Sequence, residues 1–136
     1  MAGPTAEITL RWKNGLVFEG GGAGRPPATV DGDSKLGSSP VETLLVAAAA
    51  CTGSDVVAIL EKQRVKLRSL EVAVKGTRRE EHPRRFTAIH FRWSIAGDGA
   101  DETKARRAID LSLEKYCSVV ASLAPDINVT YDVAIA

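Results

Sequence analysis

Aromatic side chains make up only 5% of this 136-residue chain, and its formal charge at pH 7 is +1. A base-stacking groove needs several aromatics and a phosphate-tracking face needs a clear basic excess, so nucleic-acid binding is disfavoured. Cysteine is scarce: Cys51 and Cys117 stand 66 positions apart, too few and too distant for the dense framework of a secreted miniprotein. The first residues show no basic start followed by an apolar segment, so no secretory signal is read. The most apolar run, Leu44 to Cys51, has eight residues, against the ~20 that cross a bilayer. The expectation is a cytoplasmic protein without a membrane partner, its thiols free or redox-cycling in a reducing compartment. Histidine is nearly absent: His82 precedes a proline and His90 sits in a strand pattern. Neither has a second ligand at metal spacing, so no metal is expected. The glycines between Gly20 and Gly24 are not followed by Lys-Ser/Thr or a helix start, which argues against a phosphate cradle.

What remains is ordinary globular material, 44% apolar and 26% charged, of a size that buries a core as one domain over residues 1–136. Ala6 to Trp12 alternates apolar and polar, Asn14-Gly15 is a type I′ hairpin signal, and Leu16-Val17-Phe18 is the return strand. A glycine- and proline-rich loop follows, then a short strand near Ala28 to Val30 and a turn at Asp31-Gly32-Asp33. Ser39-Pro40-Val41-Glu42 is a capping box with proline at the first helical position, starting a helix that should run from Pro40 to about Gln63. Its first half, Thr43 to Cys51, is apolar or small on every side and should be buried all round, covered either by its own sheet and other helices or by a second subunit. Ser69 to Thr77 and Phe86 to Ile95 alternate as strands; the second does so through Phe86, Ala88 and His90, or equally through Ile89, Phe91 and Trp93. The charged turn between them, Arg78 to Arg85, reads as a solvated hairpin tip. Asp101 caps a second helix with one stripe running Ala105, Ala108, Ile109, Ser112, Leu113, Tyr116, Cys117, Val120 and Leu123. A strand from Asn128 to Ile135 closes the chain. Helices and strands do not alternate as βαβ units, so the class is α+β.

Two segments carry a resemblance. Ser39-Pro40-Val41-Glu42-Thr43-Leu44-Leu45 runs into the alanines before Cys51-Thr52, and Glu114-Lys115-Tyr116-Cys117-Ser118-Val119 supplies the second cysteine. Together, and in the order of elements over nearly the whole chain, they resemble the OsmC/Ohr family, nearest its YhfA-type OsmC-like branch. The resemblance implies two antiparallel-rich sheets, two long central cysteine-bearing helices and an intertwined homodimer with its sites at the subunit interface.

It also implies chemistry: thiol-dependent reduction of organic hydroperoxides. Cys51 would attack the peroxide and Cys117 would resolve the sulfenic acid as a disulfide, reopened by an external dithiol, of lipoyl type in the family, with no bound cofactor. Cys51 lies about three turns inside its helix, beyond the reach of the N-terminal dipole, so a cation must activate it. By resemblance that cation is Arg25, oriented by Glu42, although the family's glutamate directly follows the proline and Glu42 stands one position later. Asp55, one turn beyond Cys51, disfavours a thiolate unless a cation intervenes; Arg78, Arg79, Arg84 or Arg85 from a partner subunit is the alternative source. The offset of Glu42, and Ser118 where a proline is common, favour a competing reading. In it an OsmC-like protein binds a small apolar or thiol-containing ligand at the dimer interface without turnover.

Overall fold

The Asn14-Gly15 signal does produce a hairpin, displaced by one residue. In the computed structural model, which describes residues 2–136, strand β1 (Thr9–Asn14) pairs antiparallel with β2 (Val17–Gly21), ending on Asn14↔Val17. The central turn residues are therefore Gly15 and Leu16, and only Gly15 has positive φ, at 51°. Glycine at the first central position is the type II′ arrangement, in place of the type I′ turn expected. β3 (Ala28–Asp31) completes a three-stranded sheet in the order β1-β2-β3.

At the end of β3 the buried Asp31 carboxylate accepts backbone N–H groups of Asp33 at 2.8 Å, Leu36 at 2.9 Å and Lys35 at 3.2 Å. These donors, Leu36 and Asp33 foremost, hold its carboxyl below the usual range and curl the chain toward the next helix. That helix is α1 (Pro40–Lys62). Its capping box is reciprocal: the Ser39 N–H donates to Glu42 Oε1 at 2.8 Å, and the Glu42 N–H donates to Ser39 Oγ at 3.2 Å. It ends on Arg64 in the left-handed region, with Val65 N–H donating to the Leu60 carbonyl and Arg64 N–H to that of Glu61. This is a Schellman closure, and its two apolar partners, Leu60 and Val65, are both buried.

The chain divides into two compact units, one up to Leu44 and one from Leu45 to Ala136. In the second, β5 (Phe86–Asp98) lies between β4 (Lys66–Arg78), antiparallel to it, and β6 (Asn128–Ile135), parallel to it. Of the two faces open to β5, Ile89, Phe91, Trp93 and Ile95 are the buried set. His90 faces the other way and bonds Thr130 Oγ1 at 2.7 Å and Asp132 Oδ2 at 3.1 Å on β6. Phe86 is also buried: the register shifts between Thr77 and Arg78, and its ring lies where a Cβ on Gly76 would stand. Ala48, Val56 and Leu60 from α1 and Ala105, Ala108 and Ile109 from α2 (Glu102–Leu111) complete the core.

One expectation gives way and one open alternative narrows. The second cysteine segment is not one continuous helix: α2 passes into a π-helical turn at Ser112–Tyr116, Cys117 is extended (φ −74°, ψ 99°), and a short α3 (Ser118–Ala121) follows. Of the two covers open to the first half of α1, its own chain is not the one: Leu44 is 37% and Val46 59% exposed. A helix apolar on every side needs more covering surface than one small sheet and one broken helix supply. By length and composition α1 is apolar enough to span a membrane. Its Thr52 and Asp55, however, are hydrogen-bonded to Cys117 and Ser112, as in a core helix of a globular unit.

Trp93 is fully buried, its ring stacked on Phe91 at 6.3 Å, and its indole N–H has no acceptor among the described residues. Trp93→Ala should lower the unfolding free energy in urea titration by about 3–5 kcal/mol. Trp93→Phe keeps a ring and removes the orphaned donor, so its loss should be clearly smaller; equal losses would contradict this account of the core.

Candidate active site

Cys51 and Cys117 are both free thiols, Cys51 half-buried on α1 and Cys117 only 3% exposed at the break before α3. Thr52 Oγ1 donates to Cys117 Sγ at 3.3 Å and the Val120 N–H donates at 3.4 Å. Burial pushes the Cys117 thiol up from its ordinary value; the Thr52 and Val120 donors oppose that, and the adjacent Cys51 thiol adds to the rise. Burial prevails, so Cys117 stays protonated at neutral pH. The more exposed Cys51 is the sulfur that a reagent reaches first.

The next residues on the same side of α1 continue the arrangement. Asp55 Oδ2 accepts the hydroxyl of the fully buried Ser112 at 2.7 Å, and the Cys117 N–H closes the π turn on the Ser112 carbonyl at 2.8 Å. The Asp55 carboxylate is therefore engaged by a hydroxyl. Beside this turn lies a cavity of about 420 Å³, lined by Asp55, Ile59, Lys62, Gln63, Arg107 and Tyr116 among others.

Glu42 and Arg25 belong to the other unit, up to Leu44. The Glu42 carboxylate is held by the Ser39 N–H and hydroxyl, which lower its pKa; what is seen is a helix cap. The Arg25 guanidinium fills the space beside Gly22 where a Cβ would stand. In the charged tip between β4 and β5, Arg78, Arg79 and Arg84 donate to carbonyls within the tip, and Arg85 pairs outside it with Asp126 at 2.6 Å. No cluster of three or more metal-ligating side chains forms among the described residues.

Sequence reasoning placed the two sulfurs but missed Thr52 and Ser112. The available signal was a hydroxyl on each buried stripe: a buried hydroxyl needs a partner, and two such residues on facing segments bracket a shared site.

A family model described as OsmC-like protein matches residues 31–132, which include both cysteines and leave Arg25 outside. The chain belongs to the OsmC family. Protein YhfA of Escherichia coli strain K12 is 39% identical over 126 residues, covering 92% of this chain and 94% of that protein. Among solved structures, a hypothetical protein from Aquifex aeolicus VF5 superposes with a TM-score of 0.85 at 30% identity, covering 98% of each chain. The organic hydroperoxide resistance protein OhrB of Bacillus subtilis shares the fold at a TM-score of 0.61 and 18% identity, covering 96% of this chain and 98% of its own. This OsmC-family chain is thus nearer in structure to the Aquifex protein than to OhrB.

In a Cys51→Ser variant, ultraviolet thiolate absorbance should titrate Cys117 above an ordinary cysteine, and Thr52→Val in that background should raise the midpoint further. A midpoint at or below the ordinary value would mean that burial does not govern this sulfur.

Proposed function

We propose that this OsmC-family protein reduces organic hydroperoxides with its two thiols. The observation that carries the reading is the pairing of an accessible Cys51 with a buried, protonated Cys117 beside it. The Cys51 thiolate attacks the terminal peroxide oxygen: an S–O bond forms, the O–O bond breaks, and the alkoxide leaves as the alcohol after taking a proton. Cys117 then loses its proton and attacks the Cys51 sulfur; the S–S bond forms, the S–O bond breaks, and water leaves. An external dithiol, of lipoyl type, exchanges with the disulfide and restores both thiols. Because Cys117 must ionise to attack and its pKa is raised, closure quickens as pH climbs into and beyond the ordinary thiol range. Arg25, on its glycine-rich loop, is the cation that this reading assigns to Cys51.

The same reading makes the working protein a cytoplasmic homodimer. Ile8, Leu10 and Trp12 of the N-terminal segment and Leu44 and Val46 of α1 are all large, apolar and exposed in the single chain, and a second copy of the chain would bury them. Sedimentation should give twice the chain mass; a monomer at micromolar concentration would contradict the assignment.

A second reading, ligand binding without turnover, is supported by the engagement of Glu42 in its cap and by the cavity beside Tyr116. One experiment separates the two. Reduced protein treated with one equivalent of cumene hydroperoxide should lose both thiols and about two daltons of intact mass, as a disulfide forms. Cys51→Ser should abolish the loss, and Arg25→Ala should slow the first oxidation at least tenfold, about the 1.4 kcal/mol that one pKa unit represents. Thiols that survive untouched would leave only the binding reading.

A further inference from the structure

Between Leu111 and Cys117 the backbone leaves the α-helical path, and the departure has a geometric result. In a continuous α-helix, five positions advance the chain by ~500°, which would set Cys117 ~140° around from Ser112. The bond from the Cys117 N–H to the Ser112 carbonyl, 2.8 Å, instead closes one wide turn over those five positions. It returns Cys117 to the side that Ser112 occupies. Both residues are buried.

Each also meets α1 through a side-chain hydrogen bond. Ser112 donates to Asp55 at 2.7 Å, and Cys117 Sγ accepts from Thr52 at 3.3 Å. Thr52 and Asp55, three positions apart, share one side of α1. The helix thus grips the wide turn at its first residue and at the residue just past its last. An isolated turn of this kind has no propensity to persist and is rare in α-helices, so the contacts around it must hold it.

We propose that Asp55 and Ser112 are positioning residues whose partly buried hydrogen bond keeps the wide turn wound and so keeps the Cys117 sulfur beside Cys51 for disulfide closure. The inference rests on the two-thiol reading given above. Neither residue touches the reacting atoms: the S–S bond forms between the two sulfurs, the S–O bond of the sulfenic acid breaks, and water leaves with the proton that Cys117 gives up. Loss of either partner lets the turn relax toward the α-helical register and swings the sulfur away. The first oxidation takes place at Cys51 and does not depend on where the Cys117 sulfur sits.

The test compares wild type with Ser112→Ala, Asp55→Ala and Asp55→Asn, the last of which keeps an oxygen acceptor for the Ser112 hydroxyl. After one equivalent of cumene hydroperoxide, intact mass follows dimedone-trapped sulfenic acid against disulfide. Both alanine variants should still oxidise Cys51, accumulate the adduct, and close the disulfide about tenfold more slowly, as expected when a partly buried hydrogen bond is lost. Asp55→Asn should close at nearly the wild-type rate. Closure at the wild-type rate in both alanine variants would overturn the proposal. A glutathione redox titration needs no hydroperoxide: the alanine variants should form the Cys51–Cys117 disulfide with an equilibrium constant about tenfold below wild type. If wild type ignores hydroperoxide, the peroxidase reading falls alone, and equal constants in the titration would still sink the positioning role. Should Ser112→Ala fail to fold, Asp55→Ala, at a half-buried site, carries both measurements.

Discussion

One buried contact organises the second unit: a helix-borne hydroxyl, Thr52 Oγ1, donating to the sulfur of Cys117. A thiol taken out of water has few partners, and each donor it meets in the interior fixes its direction as well as its charge. Around that contact the chain spends several irregular features at once. The helical ladder widens at Ser112–Tyr116, breaks at Cys117, and restarts with the sulfur accepting the Val120 N–H. A regular helix there would satisfy its backbone equally well, but Ser112 and Cys117 could not both face α1. The irregularity is the means by which two residues five apart come to share one buried face.

That arrangement gives two chemically identical side chains different surroundings. Burial is the largest influence on Cys117 and favours its neutral form, while two hydrogen-bond donors work the other way. Cys51 sits on the same framework with partial access. Two adjacent thiols do not both ionise easily, and burial keeps Cys117 as the neutral one. The Asp55 carboxylate on the same helix accepts the Ser112 hydroxyl.

Much of this was legible in the residues and some of it was not. The capping box named the start of α1 because its partners are local, and both of its hydrogen bonds form. The α+β class and the family likewise followed from short-range patterns: period-two strands, a proline-capped helix and two cysteine segments in order. Asn14-Gly15 named a hairpin but not its register, since a one-residue shift of pairing moves glycine from the second to the first central position. The alternation of Phe86 to Ile95 fitted either face; the packing of Ile89, Phe91, Trp93 and Ile95 decided between them. The stripe through Cys117 has helical spacing, yet the ladder breaks, because the hydrogen bonds that hold the break come from α1, some sixty residues earlier in sequence. Three hydroxyl or carboxylate hubs (Asp31, Thr52 and Ser112) passed as a turn residue and two members of apolar stretches. The partners of Asp31 are local N–H groups two to five residues on, whereas those of Thr52 and Ser112 lie on another element and are set by the fold.

The claim on which the rest depends is that the two sulfurs face each other across a braced turn. A crystal structure of the diamide-oxidised protein tests it most directly. The account predicts a bond between Cys51 and Cys117 within one chain, with the wide turn and the Asp55–Ser112 hydrogen bond intact. Two free thiols pointing apart, or a disulfide formed only between chains, would contradict it.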